Sequence, residues 1–251
     1  MSQGLKDIAV FFDLSDCGRS LLGVAANMAE RERARLIGIC CPDLEVVSQD
    51  SGQAYGAAAR AATERRGASM AAELMRAGQV LGDMAIDLGV DAELRAIFQS
   101  EDSRTLALHC DLLVVGYPEA PGARFAWSSY AILQQVGVPL LVVPNAWQGD
   151  IGRHVLLAWC GAAPARSDVT RVLPLLASAE SVALMQVDPE AWSEKTVAAE
   201  QPLAEWLAEQ AGLWEADLVV LGGCDRGEAA TTVFGKKPRQ SCGMVPLVLL
   251  F

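Results

Sequence analysis

Asp13, Cys41 and Gly116 each stand at the end of an apolar, strand-length run of the sequence. Ser128 and Ser129 stand at the predicted start of a short helix, after a glycine-bearing loop. In parallel α/β sheets, ligands bind outside the carboxyl ends of the strands, where residues of this kind meet. Backbone N–H groups at a helix start also favour anionic groups such as phosphate. We therefore expect these residues to border one ligand site.

The same part of the chain offers little for catalysis. Asp13 and Asp16 could be paired carboxylates, but a ligand-contacting Asp and a helix cap explain them without a partner base. Ser128 lacks the G-x-S-x-G context of an activated nucleophile. The two histidines of the chain, His109 and His154, are placed by no motif. The sequence therefore predicts no catalytic residue.

The seven cysteines of the chain are an odd number, and they form no C-x-x-C pair. Most of them lie in or beside apolar runs, which is typical of reduced, buried thiols in a cytosolic protein. Metal binding by the adjacent Cys40 and Cys41 would need further ligands, and the chain has only two histidines. We predict no metal site.

The formal net charge is −11, and residues 1–150 and 151–251 are each acidic. This balance argues against nucleic acid and anionic membranes as partners. Hydrophobic residues make up 52% of the chain, but no apolar run approaches the ~20 residues that a membrane helix needs. The N-terminus shows no basic-then-apolar signal pattern. We expect a cytoplasmic protein whose ligand is a small molecule, with neither nucleic acid nor a membrane as partner.

The segment 111–144 has the pattern strand, loop, helix, strand, and the chain is organised around it. Strands and helices alternate before it, which predicts a parallel, doubly wound sheet. Helix 57–88 is either one long helix or two helices joined near Gly78. The predicted strands of this part are 8–12, 36–41, 92–98, 112–115 and 140–143, and the predicted helices are 17–31, 57–88, 103–109 and 128–136.

After a polar connection at 147–152 the pattern restarts, which predicts two copies of one domain, at 1–147 and 153–251. The second copy has 29 residues (188–216) where the first has 69 (42–110). One crossover helix fits in that length, but two helices and a strand do not. The second domain is therefore predicted to lack the edge strand. Its predicted strands are 154–159, 181–187, 217–221 and 245–250, and its predicted helices are 164–176 and 196–210.

Together these features resemble the universal stress protein family in its tandem two-domain form, over nearly the whole chain. The resemblance rests on Asp-x-Ser after the first strand, the strand ending at Cys41, the DLLVVG and DLVVLG strands, and the closing VPLLVVP and VPLVLLF strands. It implies two flavodoxin-like α/β domains, of the HUP or adenine nucleotide alpha hydrolase-like group, with strand order 3-2-1-4-5. It also implies that the last strands, 140–144 and 246–250, pair as an internal pseudo-dimer, and it leaves a homodimer open.

Many members of this family bind ATP through G-x2-G-x9-G-[ST], whose glycines let the loop backbone approach the phosphates. A strand-1 Asp, here Asp13, contacts the adenosine end. Gly116 matches the first glycine and Ser128 matches the final serine. However, Glu119 and Trp127 stand where the two further glycines belong. The carboxylate would repel a triphosphate, and the indole ring would block the close approach of the backbone.

The second half departs from the motif in a different way. Gly222 and Gly235 keep the spacing of the first and last glycines. Asp225 replaces the middle glycine, Lys236 the Ser/Thr, and Cys160 the strand-1 Asp. The preferred hypothesis is therefore a stress-response or regulatory binding module with a degenerate nucleotide site, no enzymatic activity and no certain cofactor. The alternative is a universal stress protein that binds ATP or AMP, with at most slow ATP hydrolysis.

Overall fold

The structure is a computed structural model, and it describes residues 4–40, 57–97, 109–117, 137–145, 147–160, 166–187, 203–223 and 244–250. It has the predicted α/β architecture. The predicted helices at 103–109 and 128–136 lie outside the described residues, apart from His109. We call residues 1–147 the first half and residues 153–251 the second half. The division into two domains at these bounds stays a prediction.

The first half contributes five strands and two helices to the described structure. Helix 57–88 is one continuous helix, which decides between the two alternatives that the sequence left open. The elements are β1 (Asp7–Phe11), α1 (Asp16–Glu32), β2 (Arg35–Cys40), α2 (Ala57–Leu88), β3 (Ala92–Ala96), β4 (Leu112–Gly116) and β5 (Leu140–Val143). Strand bounds differ from the predicted ones by no more than about two residues, the uncertainty usual at element ends.

The second half repeats the plan in shorter form. The helix predicted at 196–210 is described from Leu203 and extends to Leu213, and the predicted residues 196–202 lie outside the described residues. The elements are β6 (His154–Cys160), α3 (Arg166–Ala177), β7 (Ser181–Val187), α4 (Leu203–Leu213), β8 (Leu218–Gly222) and β9 (Leu247–Leu249).

All these strands form one nine-stranded sheet of order β3-β2-β1-β4-β5-β9-β8-β6-β7. The first half has the predicted order 3-2-1-4-5. The second half has the same order without the edge strand, within the described residues. The two halves meet where β5 pairs antiparallel with β9, with Leu141 opposite Val248. The other pairs are parallel. The predicted pairing of the last strands is confirmed.

The core lies on both faces of this sheet, because alternate residues of each strand point to opposite sides. Ala9 and Phe11 belong to one buried cluster, and Ile8, Val10 and Phe12 to the other. Helices α1, α2 and α3 cover the face of Val10, and α4 covers the opposite face in the second half. In the second half, described helices thus cover the sheet on both sides, as parallel sheets require.

A pair of aspartates shows the internal repeat at the level of single hydrogen bonds. Asp111 Oδ2 accepts hydrogen bonds from the backbone N–H groups of Lys6 (2.7 Å) and Asp7 (3.1 Å), just before β1. Asp217 accepts hydrogen bonds from the N–H groups of Gly152 (2.7 Å), Arg153 (3.1 Å) and His154 (3.2 Å), just before β6. In each half, the Asp of the D-L-[LV]-V motif therefore holds the start of the first strand. These aspartates lie at the amino edge of the sheet, away from the predicted ligand edge.

Candidate functional site

Asp13 follows β1 at the carboxyl edge of the sheet and is half-buried. Its Oδ1 accepts hydrogen bonds from the backbone N–H of Ser15 (2.9 Å) and from the Ser15 hydroxyl. Ser15 Oγ in turn accepts a hydrogen bond from the N–H of Gly18 (3.1 Å) and caps α1. The carboxylate is therefore held in place by the start of the helix. Within the described residues, no donor is bonded to Oδ2, so that oxygen is available to a ligand.

This arrangement requires glycine at position 18, which the sequence alone did not predict as a site residue. A Cβ at Gly18 would lie 2.2 Å from Asp13 Oδ1 and 2.5 Å from the Asp13 carbonyl oxygen. Real Cβ atoms do not approach other atoms so closely. The only available signal was a glycine in the first turn of a helix, where it lowers helix propensity without an evident reason.

Gly116 ends β4, next to β1, so the structure brings it and Asp13 to the same edge of the sheet. The chain after β4 stays close to β5, because the N–H of Tyr117 donates a hydrogen bond to the Val143 carbonyl (2.8 Å). Among the described residues, the heavy atom nearest to a Cβ at Gly116 would be Oδ1 of Asn145, at 3.4 Å. Asn145 thus adds a polar side chain to this edge. It was not predicted, although a polar residue directly after the VPLLVVP strand was a usable signal.

The equivalent edge of the second half is filled by an aromatic ring. Trp159 on β6 pairs in register with Gly222 on β8. A Cβ at Gly222 would lie 2.1 Å from Cζ3 of Trp159. A Cβ at Gly223, whose φ is +79°, would lie 2.9 Å from Trp159 Nε1 and 2.2 Å from the Cys160 carbonyl oxygen. The indole ring lies across both glycines. Packing against Trp159 is therefore a sufficient reason for glycine at 222, and its predicted role in ligand binding stays a prediction.

The register of the strands identifies the residue of the first half that corresponds to Trp159. Val10 of β1 pairs with Gly38 of β2, and at the same place in the second half Leu157 of β6 pairs with Leu184 of β7. Two residues further along each first strand, Phe12 therefore corresponds to Trp159. A Cβ at Gly38 would lie 2.8 Å from Cε1 of Phe12. The Phe12 ring thus lies over β2 and away from Gly116. It therefore does not cover the carboxyl end of β4 as Trp159 covers that of β8.

The remaining predicted site residues, Cys41, Ser128, Ser129 and Gly235, lie outside the described residues. Cys41 directly follows β2, whose last residue, Cys40, is buried. The structure thus brings together Asp13 and Gly116 of the predicted first-half site. It places Gly222 at the corresponding edge of the second half, on the far side of the β5–β9 pair.

The titratable groups with shifted pKa values lie away from this edge. Burial raises the pKa of the Cys110 thiol to about 12, so this thiol stays protonated at neutral pH. The hydrogen bond from Arg95 lowers the pKa of Glu93, and the hydrogen bond to Asp7 raises that of Arg35. These charged groups join β1, β2 and β3 near the amino edge. In the described part of the chain, no three His, Cys, Asp or Glu residues are grouped so that they could hold a metal ion.

A cleft of about 550 Å³ lies near the amino edge, between the halves. It is lined by α1, by the connection that precedes β6 and by the turn between α3 and β7. Arg31 Nη1 donates a hydrogen bond of 2.6 Å to the Ile151 carbonyl at its side, and Asp150 and Glu180 hold Arg153. Its cationic side chains are thus engaged within the protein.

No protein-family model matches the sequence, and no curated protein is significantly similar to it. Solved structures show the fold class. A universal stress protein from Archaeoglobus fulgidus DSM 4304 superposes with a TM-score of 0.53 at 11% identity, over 97% of this chain and 95% of that chain. The functionally unknown protein PA1789 from Pseudomonas aeruginosa PAO1 gives 0.52 at 13% identity, over 99% and 93%. The resemblance predicted from the sequence is thus confirmed at the level of the fold, across both halves.

None of the helices in the described ranges has the length and apolar content that crossing a lipid bilayer needs.

Proposed function

We propose that this chain is a tandem universal-stress-type binding module that acts in regulation and has no enzymatic activity. Its ligand site is on the first half, and the second half no longer binds a ligand. The carrying observation is the opposite placement of two corresponding rings, Phe12 over β2 and Trp159 over Gly222. The Trp159 ring occupies the surface on which the backbone would approach a phosphate.

The first-half site suits a small molecule with hydroxyl groups. The Asp13 carboxylate is fixed by Ser15 and can accept hydrogen bonds from two adjacent hydroxyls, as acidic residues do with ribose in dinucleotide-binding folds. Asn145 adds a neutral side chain near Gly116. Glu119 and Trp127 stand at the glycine positions of the phosphate loop in the sequence, which disfavours a triphosphate. We therefore propose a degenerate nucleotide site with a small polar ligand.

The alternative function is binding of ATP or AMP, with at most slow ATP hydrolysis. It is favoured by the same Asp13, which stands where the family resemblance implies a contact with the adenosine end, and by the glycine at 116. AMP fits this alternative better than ATP, because it presents one phosphate group to the loop that contains Glu119.

We also propose a cytoplasmic location. Cys17, Cys40, Cys110 and Cys160 are free thiols in the structure. Free thiols in this number are usual in a reducing compartment, whereas secreted proteins tend to pair them.

Isothermal titration of the full chain with ATP and with AMP tests the two functions, with mass spectrometry of the protein as purified to identify a bound molecule. We expect no nucleotide binding with a Kd below about 1 mM. The key variant is Asp13→Ala. Asp16→Ala is its local control, because it removes an exposed carboxylate from the first turn of α1 and leaves Asp13 and Ser15 in place. Cys160→Ala is the control at the corresponding position of the second half.

Binding below about 1 mM that disappears in Asp13→Ala and persists in both controls would establish the alternative. Nucleotide binding that survives Asp13→Ala would contradict the first-half site. Turnover faster than about 1 s⁻¹ would show that the protein is an enzyme and overturn the proposal.

A further inference from the structure

Within the described residues, β7 lacks the strand and the helix that cover β2, its counterpart in the first half. β2 is flanked by β3, and Leu81 of α2 packs against it at Gly38, where a Cβ would lie 2.9 Å from the Leu81 side chain. β7 is the last strand of the sheet among the described residues. On the face that α2 covers in the first half, Val182 is 48% exposed and Leu184 is 74% exposed.

The two ends of the sheet also differ in charge. β3 carries Glu93 and Arg95, which pair with each other (2.8 Å), and Glu93 also pairs with Arg35 of β2 (3.2 Å). Charged side chains of this kind protect an edge strand against pairing with another chain. β7, Ser181–Val187, is seven residues long and has neither a charged residue nor a proline. A long, uncharged, apolar edge is the kind that pairs with a further strand.

We propose that β7 pairs antiparallel with β7 of a second copy of this chain, about a twofold axis at Ala183. In this register Val182 lies opposite Leu184 of the partner subunit, and the same pair recurs on the other side of the axis. Both exposed side chains then have an apolar neighbour on the same face. A register centred on Leu184 would instead place Val182 opposite a glutamine.

The chain already uses this kind of contact internally. At the junction of β5 and β9, antiparallel apolar strands pair, with Leu141 opposite Val248. In that junction, the outer edges of β5 and β9, the last strands of the two halves, pair with each other. The free ends of the sheet within the described structure are therefore the charged β3 and the uncharged β7, and only β7 is suited to a second copy. This inference does not depend on the proposed ligand site.

Sedimentation velocity of the full chain tests the proposal. We expect a dimer of the wild-type protein and an association at least about 100-fold weaker in Leu184→Lys, because each dimer would bury the lysine twice and lose two apolar contacts. Ile86→Lys is the matched control: Ile86 is 79% exposed on α2 and should leave the dimer unchanged. Both residues are exposed in the single chain, so neither variant should unfold it, which far-UV circular dichroism checks.

Oxidative cross-linking tests the register. In a Cys17→Ser background, the double variant Val182→Cys/Leu184→Cys should form disulfide-linked dimers, because directly opposite residues have Cα atoms within reach of a disulfide. Leu184→Cys alone should not. A monomeric wild-type chain at up to about 1 mM would overturn the proposal, as would a Leu184→Lys dimer as strong as that of Ile86→Lys. Cross-linking by Leu184→Cys alone would overturn the register.

Discussion

The two halves of this protein share a strand plan but place one aromatic ring in opposite directions. In the first half, Gly38 leaves room on β2, and the ring of Phe12 lies there. In the second half, Leu184 stands at the position of Gly38, and the ring of Trp159 lies over Gly222 instead. A side chain on the neighbouring strand, absent at Gly38 and present at Leu184, can therefore decide whether the aromatic ring covers the carboxyl edge where a ligand would bind.

The amino edge shows the opposite behaviour, since it is alike in both halves. Asp111 and Asp217 each accept hydrogen bonds from the backbone that enters the first strand. Each of these hydrogen bonds stabilises the entry into the first strand by a modest amount, and this contribution is the same in kind in each half. The repeat is therefore kept where it stabilises the fold and differs where a ligand would bind.

The two halves form one continuous sheet, and Leu141→Ala, which has the largest expected effect, tests whether they also unfold as one unit. Leu141 is fully buried and lies opposite Val248 at the junction. We expect the free energy of unfolding to fall by about 3 kcal/mol, from the lost burial and the cavity. Urea unfolding should be followed by circular dichroism and by the fluorescence of the tryptophans, most of which belong to the second half.

Coincident transitions that shift together would support one cooperative unit. Separate transitions, with only one of them shifted, would show that the halves unfold independently. Leu173→Ala is the control, because Leu173 is 41% exposed on α3 and should change the free energy of unfolding by less than about 1 kcal/mol.

Gly222→Ala against Gly116→Ala tests the difference between the two ligand edges. The added methyl at 222 would collide with the Trp159 ring, so we expect a loss of about 2 kcal/mol in the free energy of unfolding. At 116 the nearest described atom is 3.4 Å away, and we expect a change within about 1 kcal/mol. Urea denaturation measures both. The cost at 222 should shrink when Trp159→Leu is added, and equal costs of the two alanine variants would contradict the filled second-half edge.

Asp217→Ala against Asp111→Ala tests the shared amino edge, with a smaller difference. Asp217 accepts three backbone hydrogen bonds and Asp111 accepts two. Both sites are partly accessible to water, which replaces some of the lost bonding. We expect losses of about 1.5 kcal/mol for Asp217→Ala and about 1 kcal/mol for Asp111→Ala, measured by thermal and urea unfolding. A loss confined to one variant would show that the two aspartates do not have the same role.

The sequence by itself determined most of the strands and helices, because buried parallel strands are continuous apolar runs and their alternation with helices predicts a parallel sheet. It also predicted that Asp13 stands at the carboxyl edge of the sheet, and the family resemblance implied that β5 and β9 pair. Only the tertiary structure decided what surrounds that edge. Trp159 reaches Gly222, and Gly18 makes room for Asp13, through distances that no local pattern encodes. The direction of a ring depends on the neighbouring strand, which is adjacent in space and distant along the chain.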